Sequence, residues 1–245
     1  MTSLGQLQEI AAEYCCSTNL NLYDDPSCAR LATQAAVGRH LRIAPLARDK
    51  GEGGRGKGNI EVRLCEDDYP GWLLAEDLAF LQVAEPYQAT SVDESEIKAR
   101  LPAVIEFTRL AMQQPNYYLW GGTVAPNYDC SGLMQAAFAS VGVWLPRDAY
   151  QQEAFTVSVA VDDLQAGDLV FFGSEQKATH VGLYLGEGCY IHSSGQKMGR
   201  DGIGIDLLSE HGSEVGRSYY RQLRGCGRVV KSYAPRQRSA SEANP

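Results

Sequence analysis

Cys130 stands where a loop passes into an amphipathic helix, directly after Asp129 and before Ser131-Gly132. A thiol becomes a nucleophile in such a place, because the unpaired N–H groups and dipole of a helix start favour its anion and an imidazole can take its proton. The following backbone N–H groups also point to where a tetrahedral oxyanion would form. Asp129 opposes the thiolate through its charge, so it has to be paired elsewhere or used on a substrate. Of the four histidines, two occur as Thr179-His180-Val181-Gly182 and Tyr190-Ile191-His192-Ser193, on either side of a Gly186-Glu187-Gly188 turn. Pairing around that turn sets residue 182 roughly opposite 192, and the even separation keeps His180 and His192 on one sheet face. One imidazole can then serve as base while the other orients it. A buried cysteine with satisfied core histidines is the bland alternative, and two histidines sharing a face beside Cys130 weigh against it. His40 and His211 lie in polar or loop contexts and read as surface residues.

The elements that must position these groups are legible. Leu133, Ala136, Ala137 and Val141 give the helix after Cys130 its apolar face, with Asp129 suited to cap it and Gly142 to end it. Ile97, Leu101, Val104, Ile105, Phe107 and Leu110 follow helical spacing, with Pro102 expected in a first turn. Beyond the second helix the runs around 167–172, 180–185, 189–192, 203–207 and 227–231 read as strands. Upstream, from Tyr14 to Val83, short β-like runs are separated by turns such as Asp67-Asp68-Tyr69-Pro70-Gly71, which suggests a small β-barrel. The expected class is α+β, divided as a β-barrel over 1–84, a linker over 85–96, a catalytic domain over 97–234 and a disordered tail over 235–245. The Gly-rich stretch from Lys50 to Gly58 lacks the spacing of a phosphate-binding loop and reads as a mobile hairpin tip.

Composition narrows the function classes. In 245 residues the apolar share is 44% and the charged share 21%, as in ordinary globular proteins. A net charge of −8 argues against general binding of nucleic acid or anionic membrane. Seven cysteines without a CxxC leave no zinc site of usual spacing, and no metal or cofactor is expected. Cys15, Cys16, Cys28, Cys65, Cys189 and Cys226 read as small hydrophobes in a reducing compartment. The first residues carry neither a basic nor an apolar leader region, and no run is long enough for a membrane span, so a cytoplasmic protein is expected.

Together, Tyr118-x-Trp120-Gly121-Gly122, Asp129-Cys130-Ser131-Gly132-Leu133, Leu145-Pro146-Arg147, Gly167-Asp168-Leu169-Val170-Phe171-Phe172, His180-Val181-Gly182-Leu183-Tyr184 and Ile191-His192 resemble the NlpC/p60 family of cell-wall cysteine peptidases over about residues 95–231. Leu20-Asn21-Leu22-Tyr23, Pro26, Gly71-Trp72-Leu73-Leu74 and Asp77-Leu78 are similar to the bacterial SH3-like domain. The resemblance implies a papain-like catalytic domain with Cys130 as nucleophile, His180 as general base and then acid, His192 as the orienting third member and Tyr118 near the oxyanion. It implies hydrolysis of the γ-D-glutamyl–diamino acid bond (diaminopimelate or lysine) in peptidoglycan stem peptides, on released fragments with a free N-terminal L-alanine; a monomer is expected. Asp129, Ser131 and Asp148 would line the pocket for that ammonium, completed by Tyr69 or Glu76. Asp129 as a helix cap, Asp148 as a cap or Arg147 partner and Tyr69 as a turn aromatic are the plain alternatives. A broader hydrolase or amidase of polymeric wall, a wall-binding protein with an inactive catalytic domain and a lipid acyltransferase are the competing functions.

Overall fold

The computed structural model describes residues 12–44 and 58–235; the expected tail beyond 235 and all but the last residue of the Gly-rich stretch lie outside them. The chain divides into two compact units, the second being Thr90–Tyr233.

The first unit is built from β1 (Glu13–Cys16), β2 (Leu20–Tyr23), β3 (Leu31–Ala35), β4 (His40–Ile43), β5 (Ile60–Leu64), β6 (Pro70–Leu73) and β7 (Leu81–Ala84). Alternation drives them: in β5, Val62 and Leu64 are buried while Glu61 and Arg63 face water. Leu20, Leu22, Leu41, Val62, Leu64 and Leu73 join one apolar cluster. The strand order is β3-β2-β6-β5-β4-β1-β7, with β3 and β7 at the two ends of the sheet. This corrects the expected closed β-barrel, because closure requires the two end strands to pair. The 3-10 helix Ala75–Phe80 explains the outcome: Phe80 O accepts from Ser17 N at 2.9 Å and Ser17 Oγ at 2.7 Å, which delivers β7 to β1 rather than to β3. The turn before β6 has the expected chemistry, with Asp68 at φ 57° and Asp67 Oδ1 accepting from Tyr69 N at 3.2 Å.

The second unit opens with α1 (Glu94–Gln113), β8 (Thr123–Val124), β9 (Asn127–Tyr128), α2 (Cys130–Ala139) and α3 (Ala149–Phe155). It continues with β10 (Val157–Val159), β11 (Leu169–Gly173), β12 (Ala178–Gly186), β13 (Cys189–Ser194), β14 (Gly202–Leu207), α4 (Glu214–Tyr220) and β15 (Leu223–Arg228). Asp93 caps α1 in a reciprocal capping box with Glu96. Pro102 falls inside α1 rather than in its first turn. It is tolerated because that side of the helix faces solvent, where water can take the carbonyl that Pro102 leaves unbonded.

A six-stranded antiparallel sheet, ordered β10-β15-β11-β12-β13-β14, forms the centre. Both of its faces are covered, so β11 reads as a continuous apolar run instead of alternating. Leu169 and Phe171 pack with Leu133, Phe138, Val181 and Ile191 on the side of α1 and α2. Val170 and Phe172 pack with Tyr190, Val215 and Tyr219 on the side of α4. The α+β class therefore describes the chain, with an open sheet where a barrel was expected.

Candidate active site

Cys130 is the first residue of α2, and the loop before it is drawn tightly around Asp129. Asp129 caps the helix by accepting from Gly132 N at 2.6 Å, and it also accepts from Gly121 N at 2.9 Å. Arg147 reaches both of its oxygens, at 2.6 and 3.1 Å, in a bidentate pair. Arg147 is 2% exposed, so this is a buried ion pair at the base of the nucleophile's helix. Ser131 Oγ belongs to the same network, accepting from Arg147 at 3.0 Å and lying 3.3 Å from Asp129 Oδ1. The glycines are required by proximity: a Cβ at Gly132 would collide with the carbonyl of Gly122, which itself accepts from Asp129 N at 3.1 Å.

Burial dominates the thiol. It pushes the Cys130 pKa up to about 12, with the Asp129 charge acting in the same direction. Backbone hydrogen bonds from Val181 and Ser131 and the Arg147 cation pull the other way without reversing it. The resting group is therefore a thiol, whereas the helix start alone had suggested a thiolate. Its bond to Val181 N fixes where the sulfur lies, beside the residue that follows His180 on β12.

The hairpin of β12 and β13 carries the histidines. Leu183 pairs with Ile191, and the turn glycines Gly186 and Gly188 take φ of 98° and 73°. His180 Nε2 and His192 Nδ1 are 2.7 Å apart, and His192 Nε2 is 2.8 Å from Asp206 Oδ2 on β14. His192 is fully buried. Burial first, and then His192, hold His180 well below the usual imidazole pKa; burial likewise lowers His192, against the hydrogen bond and charge of Asp206. Phe172, Tyr190 and Tyr219 enclose the two rings.

Tyr118 is half-buried, and burial, Cys130 and Asp129 all raise its hydroxyl pKa, so it remains a donor. Its backbone N–H donates to Asp201 at 3.0 Å, and its ring covers Gly195. Tyr118, His180, Tyr219 and Thr179 line a cleft of about 680 Å³ whose other walls include Tyr117, Trp120 and Lys197. Tyr117 and Trp120, 51% and 62% exposed, offer aromatic surface there.

The structure thus sets the Cys130 sulfur against the backbone of Val181, the residue after His180, and bonds His180 to His192. Cys130 and Asp129 both act on the Tyr118 hydroxyl, while Asp129 and Ser131 share the network of Arg147 at the helix start. Asp148 is the N-cap of α3, where its backbone N–H donates to Gln151 Oε1 at 3.0 Å. Tyr69 and Glu76 belong to the first unit, where Tyr69 packs on the apolar cluster and Glu76 lies exposed in the first turn of the 3-10 helix. Sequence reasoning missed Asp206, Arg147 as the partner of Asp129, and Tyr219. An acid inside the apolar alternation Ile203-Gly204-Ile205-Asp206-Leu207 was the available signal for Asp206. Among the described residues no His, Cys, Asp and Glu group is arranged to hold a metal ion, and no helix is long and apolar enough to cross a membrane.

Parts of the chain match known proteins. Residues 115–221 match the NlpC/P60 family, and residues 22–78 match the bacterial dipeptidyl-peptidase Sh3 domain. A gamma-D-glutamyl-L-lysine dipeptidyl-peptidase of Bacillus subtilis is 35% identical over 146 residues, covering 56% of this chain and 47% of the relative. The bifunctional muramidase/DL-endopeptidase CwlT of the same organism is 47% identical over 81 residues, 31% of this chain and 25% of CwlT. The chain thus spans about half the length of the first relative and a quarter of the second. A crystal structure of an NlpC/P60 family protein from Bacillus cereus superposes with a TM-score of 0.48 at 22% identity, covering 91% of this chain and 66% of that one. Through residues 115–221 the chain carries an NlpC/P60 family domain, that of a cysteine peptidase, preceded by an SH3-like domain.

Proposed function

We propose that this protein is a cysteine endopeptidase of peptidoglycan that hydrolyses the bond between γ-D-glutamate and the diamino acid of a stem peptide. The observation that carries the reading is the hydrogen bond of the Cys130 sulfur, at the start of α2, to the backbone of Val181, next to a His180 that is bonded to His192 and lines an open cleft. In this reading His180 takes the Cys130 proton as the sulfur attacks the scissile carbonyl. The hydroxyl of Tyr118 and the helix start receive the oxyanion. His180 then returns the proton to the leaving amine, and water releases the acyl group from sulfur by the reverse route.

Names of the relatives support the finer choice. One is a gamma-D-glutamyl-L-lysine dipeptidyl-peptidase, and the first unit matches the Sh3 domain of bacterial dipeptidyl-peptidases. L-Ala-γ-D-Glu is a dipeptide, so release of this fragment from a peptide with a free alanine amine is the corresponding reaction. Asp129 is a poor reader of that amine by itself. Its oxygens already face Gly121, Gly132, Ser131 and two Arg147 donors, which fills about four acceptor sites. Within the proposal Asp129 and Ser131 hold the nucleophile's helix, and Asp148 remains the candidate carboxylate for the ammonium.

Mass spectrometry of products from L-Ala-γ-D-Glu-diamino acid peptides, with the alanine amine free or acetylated, tests both levels. Cleavage after glutamate in the free peptide supports the reaction, and loss of cleavage on acetylation supports the free-amine requirement. No cleavage of either peptide, with solubilisation of intact sacculi, would instead establish a hydrolase of polymeric wall.

A further inference from the structure

His192 is held at both ring nitrogens, by His180 at Nδ1 and by Asp206 at Nε2. Burial alone would raise the Asp206 carboxyl, but the hydrogen bonds from His192 and Ser213 and the Arg200 cation more than offset it, so its pKa lies below the usual carboxylate range. A carboxylate only accepts, so the proton of His192 sits on Nε2. A neutral His192 then has a bare Nδ1, which also only accepts. His180 must therefore carry its own proton on Nε2, and the nitrogen it has left without one is Nδ1.

We infer that the ion pair of Arg200 and Asp206 is a positioning device that sets the tautomers of both histidines and leaves His180 Nδ1 as the nitrogen that accepts the Cys130 proton. The inference rests, for its catalytic meaning, on the roles proposed above for Cys130 and His180. Asp206 alone would favour an imidazolium at His192. A protonated His192 would point an N–H at His180 Nε2 and force the His180 proton onto Nδ1, which reverses the relay and removes the base. Burial disfavours that imidazolium first, and Arg200 Nη2, 2.8 Å from the same Oδ2 that His192 uses, offsets part of the carboxylate charge and so helps keep His192 neutral.

The fold makes room for this cation. Gly204 faces His192 across β13 and β14, and a Cβ there would collide with the Arg200 guanidinium. Ser213, at the start of α4, donates to the other Asp206 oxygen at 2.5 Å. The remaining titratable neighbours of Asp206 are Tyr190 and Tyr219, both with hydroxyl pKa values raised by burial and so uncharged. When the thiol is deprotonated, the proton passes from Cys130 Sγ to His180 Nδ1, giving a thiolate and an imidazolium. The Nε2–H of His180 stays on His192 Nδ1, and no second proton moves.

Ring 15N–1H correlation spectra of 15N-histidine-labelled full-length protein test this directly, with signals assigned from His40→Gln and His211→Gln proteins. Both rings of the relay are expected to show protonated Nε2 and bare Nδ1 at neutral pH. A bare Nε2 or an imidazolium at His192 in the wild-type protein overturns the inference. Arg200→Gln is expected to raise the titration midpoint of His192 and to shift the acid limb of the kcat–pH profile with it, with little change in KM, whereas Arg200→Lys leaves both near the wild type. A His192 titration midpoint that does not rise in Arg200→Gln overturns the role of the cation. Asp206→Asn, which keeps an acceptor, retains the Nε2–H form, and Asp206→Ala gives mixed tautomers; unchanged tautomers in Asp206→Ala also overturn it. These spectra need no turnover, so an inactive protein with the expected tautomers would count against the proposed reaction and not against the relay.

Discussion

The ring of Tyr219 lies flat against that of His180, with centroids 4.0 Å apart and planes 19° from parallel. Its hydroxyl is 2.9 Å from Ser194 Oγ on β13, which ties α4 to the strand that carries His192. The stack therefore restrains rotation of the His180 ring by covering one of its faces, and the same tyrosine ring meets His192 edge-on at 5.1 Å. Tyr219→Phe keeps the stack, and its kcat is expected to remain within about threefold of wild type. Tyr219→Leu loses the flat surface and is expected to lower kcat on the order of 10²-fold through misplacement of the ring. Steady-state hydrolysis of the stem peptide checks both, and equal rates for the two variants would dismiss the restraint.

Removal of the nucleophile should abolish turnover without unfolding the protein. Cys130→Ala and His180→Ala are each expected to lower kcat by on the order of 10⁴-fold or more, and the double variant to be little worse than either. Additive losses, or a Cys130→Ala protein that cleaves at the wild-type rate, would reject a shared thiol–imidazole unit. Thermal unfolding of each variant verifies that the fold persists.

The pair of Arg147 and Asp129 is buried on both sides, so breaking it leaves an uncompensated charge under α2. Arg147→Met is expected to destabilise the domain by about 3–5 kcal/mol in urea unfolding. The double change Arg147→Met with Asp129→Leu removes both charges and should recover part of that loss. A double variant less stable than Arg147→Met would contradict the charge argument.

Stability should fall as the pH drops below about 6.5, the unperturbed imidazole value. His180 and His192 both have folded-state pKa values lowered by burial, so below that point the unfolded chain binds more protons than the native one. Their contribution is complete above the unfolded pKa and is lost on acidification, at about 1.4 kcal/mol per pH unit for each ring. Asp206, also lowered, adds a further loss only below the ordinary carboxylate range. Urea midpoints at pH 7.5, 6.5 and 5.5 measure the slope, and His180→Gln should reduce it.

Gly132→Ala tests the packing behind the nucleophile. The added Cβ meets the Gly122 carbonyl and the Asp129 carboxylate, both fixed groups. A loss of about 1–3 kcal/mol is expected, with alkylation of Cys130 altered because the helix start must shift. Wild-type stability together with wild-type alkylation would show that the loop yields freely.

Several features were local enough to be legible in the chain itself. Asp129 before an apolar helical stripe indicated its cap, and Gly186-Glu187-Gly188 between two β-runs indicated the hairpin that joins His180 to His192. Both depend on neighbours a few residues away. Pro102 was misplaced because a solvent-facing helical proline is permitted by a tertiary fact, namely which side of α1 is covered. The barrel was misjudged for a similar reason: seven short alternating strands are compatible with closed and open sheets alike, and the docking of β7 on β1 through Ser17 and Phe80 decides between them.

By itself, then, the sequence determined the kinds of groups that would meet and the hairpin and helix that present them, since these follow from spacing and capping over one or two turns of chain. Tertiary structure alone decided their electrical state. Burial makes Cys130 a resting thiol, Arg147 neutralises the carboxylate beneath it, and the register of β14 on β13 sets Asp206 and Arg200 against His192. Desolvation and charge pairing act through space, between residues whose separation along the chain carries no trace of their contact.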